Sequence, residues 1–231
     1  MNDGYCVKPL TPLRKIIAMR MSQAKQQIPH YRVAVDIEMD SVFAIRQRLN
    51  TETPNQKLSV NDFVIKACAT ALMEVPGLNV QVMESEIHYY REANISIVVA
   101  VEGGLSTPVL RHANKKTVWE VSAEARDLAE RAVAGHLKMS DISGGSFSIS
   151  NLGMYDVDQF DAIINPPQGA ILAVGAAKLQ PLVRGNDINL ANMMRVTLSA
   201  DHRAIDGTDS AQFLSVLKSL LQHPEELVNE V

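Results

Sequence analysis

The sequence predicts an α+β fold with a mixed β-sheet. Several stretches repeat their apolar residues with the helical period, and others alternate with the period of two that marks a strand. The two kinds follow one another without the regular alternation of a parallel α/β protein. No repeat or low-complexity linker interrupts the pattern.

Thr11-Pro12 supplies a cap and a proline at the first helical position, and Leu13, Ile16, Ile17, Met21 and Ala24 follow at helical spacing. This helix should stop before Pro29. Tyr31, Val33, Val35, Ile37 and Met39 then alternate with Arg32, Ala34, Asp36 and Glu38, which gives a strand with one buried face. A second helix starts near Asp40 or Ser41 and carries Arg46 and Arg48. Ser59-Val60-Asn61-Asp62 resembles a capping sequence, in which the serine accepts a backbone N–H and the acid suits the helix dipole. The apolar helix it opens runs to about Val75 and ends at Pro76-Gly77. Strands are expected at Val80 to Val82, Ile87 to Tyr90 and Asn94 to Val101, then a helix from about Val118 to Val133. Further strands lie around Phe147 to Ser150, Ala170 to Val174 and Met194 to Ser199, closed by a helix from about Asp209 to Leu221.

With 231 residues and 46% hydrophobic content, the chain can fill one large core. Residues 1–231 are therefore expected as a single domain, with 1–10 a linker remnant or N-terminal arm. The net charge of −4 recommends neither nucleic acid nor an anionic membrane as partner. The longest apolar runs, such as Ile95 to Val101, are far shorter than a bilayer span. Cys6 and Cys68 occur without a signal-peptide pattern, which argues for a reducing compartment over a disulfide framework. Cys68 reads as core packing. The six histidines, at 30, 88, 112, 136, 202 and 223, show no paired spacing such as H-E-x-x-H, so no metal site is expected.

Three segments concentrate chemistry. Asp201-His202-Arg203-Ala204-Ile205-Asp206-Gly207 places a histidine between a strand and a helix, where a general base can be held rigidly and still face a cleft. Taken alone, such a cluster is about as often a structural ion-pair network. Gly144-Gly145-Ser146-Phe147-Ser148-Ile149-Ser150-Asn151-Leu152-Gly153 gathers hydroxyls along a strand; one of them can donate to a developing oxyanion, although an edge strand with serines facing water is the simpler reading. Asn165-Pro166-Pro167-Gln168-Gly169 forces an extended turn, and by itself reads as architecture.

Together these motifs resemble the dihydrolipoyl acyltransferase family of the 2-oxoacid dehydrogenase complexes, and they occur in that family's order. The resemblance extends to Leu13-Arg14-Lys15, Ile28-Pro29-His30-Tyr31, the segment from Leu58 to Ala67 and Gly104 to Val109, and so covers nearly the whole chain. It implies a fold related to chloramphenicol acetyltransferase, a central mixed sheet flanked by helices. It also implies homotrimers with an active-site channel at each subunit interface, assembled into a cube or dodecahedron. The implied reaction moves an acyl group between a dihydrolipoyl arm and coenzyme A by direct transfer.

Carried over by position, the resemblance makes His202 the general base and Ser150 the donor to the oxyanion. Asp206 becomes an orienting residue, hydrogen-bonded or paired with an arginine such as Arg14 or Arg203. Arg46, Ser59, Asn151 and Gly175 match positions lining the coenzyme A channel, and Ala100 stands where the family can carry an aspartate near the coenzyme. Ser150-Asn151-Leu152-Gly153-Met154 looks more like acetyl-transferring members than succinyl-transferring ones, with branched-chain acyl groups as the alternative. The lipoyl domain, the subunit-binding domain and their linkers are not found. The lipoyl group would therefore come from a separate domain, and contact with the dehydrogenase and dihydrolipoamide dehydrogenase components would depend on segments not seen here. A noncatalytic core protein is the alternative of another class, against which the intact histidine motif counts. The implied compartment is the cytoplasm of a bacterium, or the matrix if the source is mitochondrial.

Overall fold

The computed structural model describes residues 4–229; residues 230–231 and the first three of the expected N-terminal arm, 1–3, lie outside the described residues. Helix α1 spans Pro12–Gln27 behind its Thr11 cap, and strand β1 spans His30–Glu38. Helices α2 (Asp40–Glu52) and α3 (Val60–Glu74) follow. The expected capping box of α3 forms, with Ser59 Oγ accepting from Asp62 N and Asp62 Oδ2 accepting from Ser59 N. Short strands β2 (Val80–Val82) and β3 (Ile87–Tyr89) make a separate hairpin.

The single strand expected from Asn94 to Val101 is instead two. Strand β4 (Ile95–Ile97) enters the main sheet, whereas β5 (Val99–Val101) pairs with β6 (Gly104–Ser106) in a hairpin of its own. An apolar run of this kind carries no mark of where a chain leaves one sheet for another. Strand β7 (Val109–Leu110), α4 (Val118–Val133), the short α5 (Met139–Ile142) and β8 (Phe147–Asn151) complete the middle of the chain. Strands β9 (Ala170–Arg184) and β10 (Asp187–Asp201) are each far longer than expected and form one hairpin that projects past the rest of the sheet. Pro181 in this stretch argues against a strand by local rules, and the polar residues around it hide the alternation.

The main sheet runs β1-β10-β9-β8-β4-β7 and is mixed, with β8 parallel to both β4 and β9 and the other pairs antiparallel. One face carries Ile37, Ile95, Phe147, Ile149, Leu172, Val196 and Leu198 into the main core. Helix α3, buried along most of its length, and α6 (Gly207–Gln222) pack there. The opposite face carries Ser96, Ser148, Ser150, Thr197, Ser199 and Asp201, because successive side chains of a strand alternate between faces. A smaller cluster of Ala24, Ile28, Ile164 and Ile171 covers part of that second face.

Leu227, in the short α7 (Glu225–Asn229), is fully buried in the main core. Among the described residues, no helix is long and apolar enough to cross a membrane.

Cys68 is fully buried and its burial pushes the thiol pKa well up, while Cys6 is exposed. Alkylation of the native protein at neutral pH should modify Cys6 alone, with Cys68 reacting only in denaturant. Mass mapping of both thiols in native buffer checks this, and native labelling of Cys68 would contradict the burial.

Candidate active site

His202 sits in a tight turn where β10 ends, and the turn is locked by the residue before it. Asp201 is fully buried and faces His30 across the β1–β10 pair. Its carboxylate accepts from Arg203 N at 3.0 Å and from the guanidinium through Nε at 3.0 Å and Nη2 at 2.6 Å, a planar fork that fixes both partners. Its carbonyl accepts from the N–H groups of Ala204 and Ile205, and His202 N donates to Pro29 O at 3.2 Å.

The His202 side chain is half exposed and its ring lies against Tyr31, with centroids 4.2 Å apart and planes tilted by 39°. The Tyr31 hydroxyl donates to Asp206 O at 2.7 Å and lies 2.6 Å from Ser210 Oγ. Burial raises the Tyr31 pKa, opposed by its hydrogen bond with Ser210 and supported by the charges of Asp206 and Asp209, so the phenol stays neutral. His202 Nδ1 is 3.8 Å from Asp206 Oδ1, too far for a hydrogen bond. Arg203 forks onto Asp201, which corrects one of the two expected partners of Asp206. Among the described residues no ion pair joins Asp206 to Arg14 either; Asp206 caps α6 and stands largely in solvent.

Ser150 belongs to β8, whose Phe147 and Ile149 face the core, so that Ser148 and Ser150 face the other way. It borders a cleft of about 550 Å³ lined by Leu13, Ile16 and Ile17 of α1, by Leu105, and by the irregular segment from Phe160 to Asn165. Three side chains tie that segment and the residue before it to the sheet. Arg195 Nη1 reaches Gln159 Oε1 at 3.2 Å, Arg32 pairs with Asp161 at 3.0 Å, and Ile164 N donates to His30 Nε2 at 3.1 Å.

The register keeps these two halves apart. Ser150 lies across from Ala173, Ala173 lies across from Thr197, and His202 is five residues beyond Thr197. At about 3.3 Å per residue and about 4.8 Å between strands, the two residues of one chain are on the order of 15–20 Å apart. A base and an oxyanion donor acting on one reacting carbon must both lie within hydrogen-bond reach of it, so one chain does not bring this pair to a common atom.

The model of the 2-oxoacid dehydrogenase acyltransferase catalytic domain matches residues 2–229. The chain belongs to this acyltransferase family. The dihydrolipoyllysine-residue acetyltransferase component of the pyruvate dehydrogenase complex of Rickettsia conorii is 42% identical over 225 residues, 96% of this chain and 55% of that protein. The chain thus spans about half the length of the curated relatives it matches. Dihydrolipoamide acetyltransferase from Azotobacter vinelandii, studied by crystallography and enzymology for the roles of a serine, a histidine and an asparagine in its mechanism, is 30% identical. It covers 98% of this chain and 95% of its own, with a TM-score of 0.93. The cubic core of the pyruvate dehydrogenase multienzyme complex matches at 29% identity over the same shares with a TM-score of 0.93. A chloramphenicol acetyltransferase, at 14% identity and a TM-score of 0.54, shares the fold. The acyltransferase fold is therefore the one expected from the motifs.

The acyltransferase's remaining expected residues gather partly. At the carboxyl end of β8, Asn151 Nδ2 donates to Asn61 Oδ1 at 3.0 Å, which brings it to the first turn of α3 beside Ser59, and Asn151 Oδ1 accepts from Gly153 N at 2.8 Å. Gly175 lies on β9 next to them; a Cβ there would stand 2.2 Å from Asp158 O, so only glycine lets the strand pass that backbone. Arg46 lies on α2, with its guanidinium 5.8 Å from the Phe43 ring and its buried Nε without a hydrogen-bond partner. The sequence reading missed Tyr31 and the role of Asp201. Both depend on β1 lying against β10, a pairing between residues far apart in the chain.

Tyr31→Phe keeps the ring against His202 and leaves Ser210 and Asp206 O short of a partner. It should lower stability by about 1 kcal/mol with the His202 ring resonances unmoved, whereas Tyr31→Leu should shift them. Denaturant melts and imidazole spectra of both variants check this. Unmoved resonances in Tyr31→Leu would remove the stacking role.

Proposed function

We propose that this acyltransferase moves an acetyl group between a dihydrolipoyl thiol and coenzyme A, at a site completed by two neighbouring subunits of a homotrimer. One observation carries the reading. Ser150, His202 and Asp206 occur in the same order and at the same separations as the serine, histidine and asparagine studied in the Azotobacter enzyme, with aspartate in place of asparagine.

The incoming thiol has an ordinary pKa near 8.5 and is mostly protonated at neutral pH, so transfer between two sulfurs needs a base. His202 takes the proton from the coenzyme A thiol, and the thiolate sulfur bonds to the thioester carbonyl carbon. Ser150 donates to the oxygen of the resulting tetrahedral species. The carbon–sulfur bond to the dihydrolipoyl group then breaks and His202 returns the proton to that sulfur, so charge and atoms balance and Ser150 is never acylated. Asp206, facing Nδ1, favours the imidazolium formed midway and leaves Nε2 to the substrate. Asp201 and Tyr31 hold the ring without touching substrate.

The register supports the shared site, because a chain that separates its base from its oxyanion donor needs a neighbour for each. Leu179, Val183, Ile188 and Leu190 support an assembly too, as they expose an apolar stripe on the long hairpin of the isolated chain. Further assembly of trimers into a hollow core is supported by the cubic-core relative. The apolar cleft beside Ser150 suits an aliphatic arm, and the Ser59, Asn151 and Gly175 group with Arg46 suits the polar coenzyme. The relatives' names support acetyl as the acyl group, dihydrolipoyllysine as its carrier and a pyruvate dehydrogenase complex as the setting; a lipoyl domain, the dehydrogenase and dihydrolipoamide dehydrogenase components and a cytoplasmic location complete the proposal.

Ser150→Ala should lower kcat by about 10²- to 10³-fold with Michaelis constants nearly fixed, since the hydroxyl acts on the oxyanion alone. His202→Ala should cost at least about 10²-fold and regain part of the rate as pH rises toward the thiol pKa. Steady-state rates with acetyl-coenzyme A and dihydrolipoamide check both, and a near-normal His202→Ala enzyme would favour a noncatalytic core protein. Co-assembled Ser150→Ala and His202→Ala chains should recover about a quarter of the wild-type sites, the random-mixing expectation for a site shared between two subunits. An inactive mixture would place the whole site in one chain.

A further inference from the structure

The Asn165-Pro166-Pro167-Gln168-Gly169 turn ends in a glutamine that the thiol chemistry leaves unexplained. Gln168 is 5% exposed, and its amide joins two strands. Nε2 donates to Ser96 Oγ on β4 at 2.7 Å, and Oε1 accepts from Ser148 Oγ on β8. Ser96 and Ser148 are register partners, both fully buried, on the face that also carries Ser150 two residues further along β8. Nearby, Gln81 Nε2 donates to Gly145 O at 2.7 Å. A Cβ on Gly145 would lie 2.2 Å from Ser96 Oγ and 2.6 Å from Gln168 Nε2, so the strand enters this clamp only as glycine. Gln168 N donates to Asn165 O at 3.1 Å, and Asn165 lines the same cleft as Ser150.

We infer that Gln168 is a positioning residue for Ser150, its side-chain amide clamping Ser96 and Ser148 so that β8 and the facing cleft wall are fixed relative to each other. This inference rests on the oxyanion role proposed for Ser150. A neutral amide suits the task because it donates to one hydroxyl and accepts from the other in a plane. Misplacing an oxyanion donor by about 1 Å is enough to cost a large part of its effect.

The test uses the assembled full chain, with acetyl-coenzyme A and dihydrolipoamide as substrates, in Gln168→Leu, Ser148→Ala, Ser150→Ala and the two pairings with Ser150→Ala. Gln168→Leu should lower kcat by roughly tenfold or more, with Michaelis constants within about twofold of wild type. Ser148→Ala should act in the same direction and less strongly. In the Ser150→Ala background neither substitution should cost much more, because the hydroxyl they position is gone. A purely structural role would leave kcat per folded trimer unchanged, or would multiply in full with Ser150→Ala, and either result overturns the inference. Should Gln168→Leu fail to fold, Ser148→Ala alone and paired with Ser150→Ala decides by the same criteria. Wild-type turnover in Ser150→Ala overturns the oxyanion reading and this inference with it. A slow Ser150→Ala beside a wild-type Gln168→Leu overturns this inference only.

Discussion

The register of the six-stranded sheet is the constraint on which the rest depends. Strand β8 enters between two parallel neighbours, β4 and β9, and its Ser150 comes out at the carboxyl end of that parallel group. Strand β10 runs the opposite way, so its carboxyl end, with Asp201 and His202, lies where β9 begins. Two side chains at the carboxyl ends of antiparallel strands in one sheet sit at opposite rims by construction. No loop movement of ordinary size closes the gap, because each is pinned to a ladder of backbone hydrogen bonds and to a buried core beneath. Any chemistry that needs both must therefore recruit a second chain.

Four consecutive residues brace both rims. Ile28 packs in the small cluster under the second face, Pro29 O receives the His202 N–H, His30 receives the N–H of Ile164, and Tyr31 backs the His202 ring. The two contacts of His30 fix its tautomer. Nε2 accepts from a backbone N–H and so carries no proton, and Nδ1, 2.9 Å from Ile28 O, is the protonated nitrogen of a neutral ring. The histidine motif and the wall of the serine cleft thus hang on one short stretch between α1 and β1, although they lie far apart in sequence and in space.

Local chemistry made most elements readable. The caps at Thr11 and Ser59, the alternation from Tyr31 to Met39 and the helical stretch from Val118 to Val133 all appear where sequence places them. Propensity rules did not find the long β9–β10 hairpin, because Pro181 and its polar neighbours weaken the strand signal and a partner strand supplies what they lack. At the site, the motifs showed which residues matter and not what they touch. Arg203 could serve Asp201 or Asp206 on spacing alone, and the choice is made by burial. A carboxylate at the fully buried position 201 needs its charge answered by a fork of donors, whereas Asp206 at the mouth of α6 has water. Gln168 looked like the tail of a proline turn because its partners, Ser96 and Ser148, come from two other strands.

The polar second face follows from the same constraint. An isolated domain would gain stability by burying apolar side chains on both faces of its central sheet, yet this one carries a row of hydroxyls and a buried carboxylate there. Thr197 Oγ1 and Ser199 Oγ are buried without a hydrogen-bond partner, and each such group costs about 1–3 kcal/mol relative to a satisfied one. A face built this way is poor glue and a good scaffold. Short hydroxyl side chains let Gln168 reach across two strands and leave room beside Ser150 for a cleft, which branched apolar residues would fill. The stability given up on this face is offset by the other, where α3 and α6 bury a continuous apolar layer. One side of the sheet thus holds the fold together, so the other is free to carry groups whose value lies in where they point.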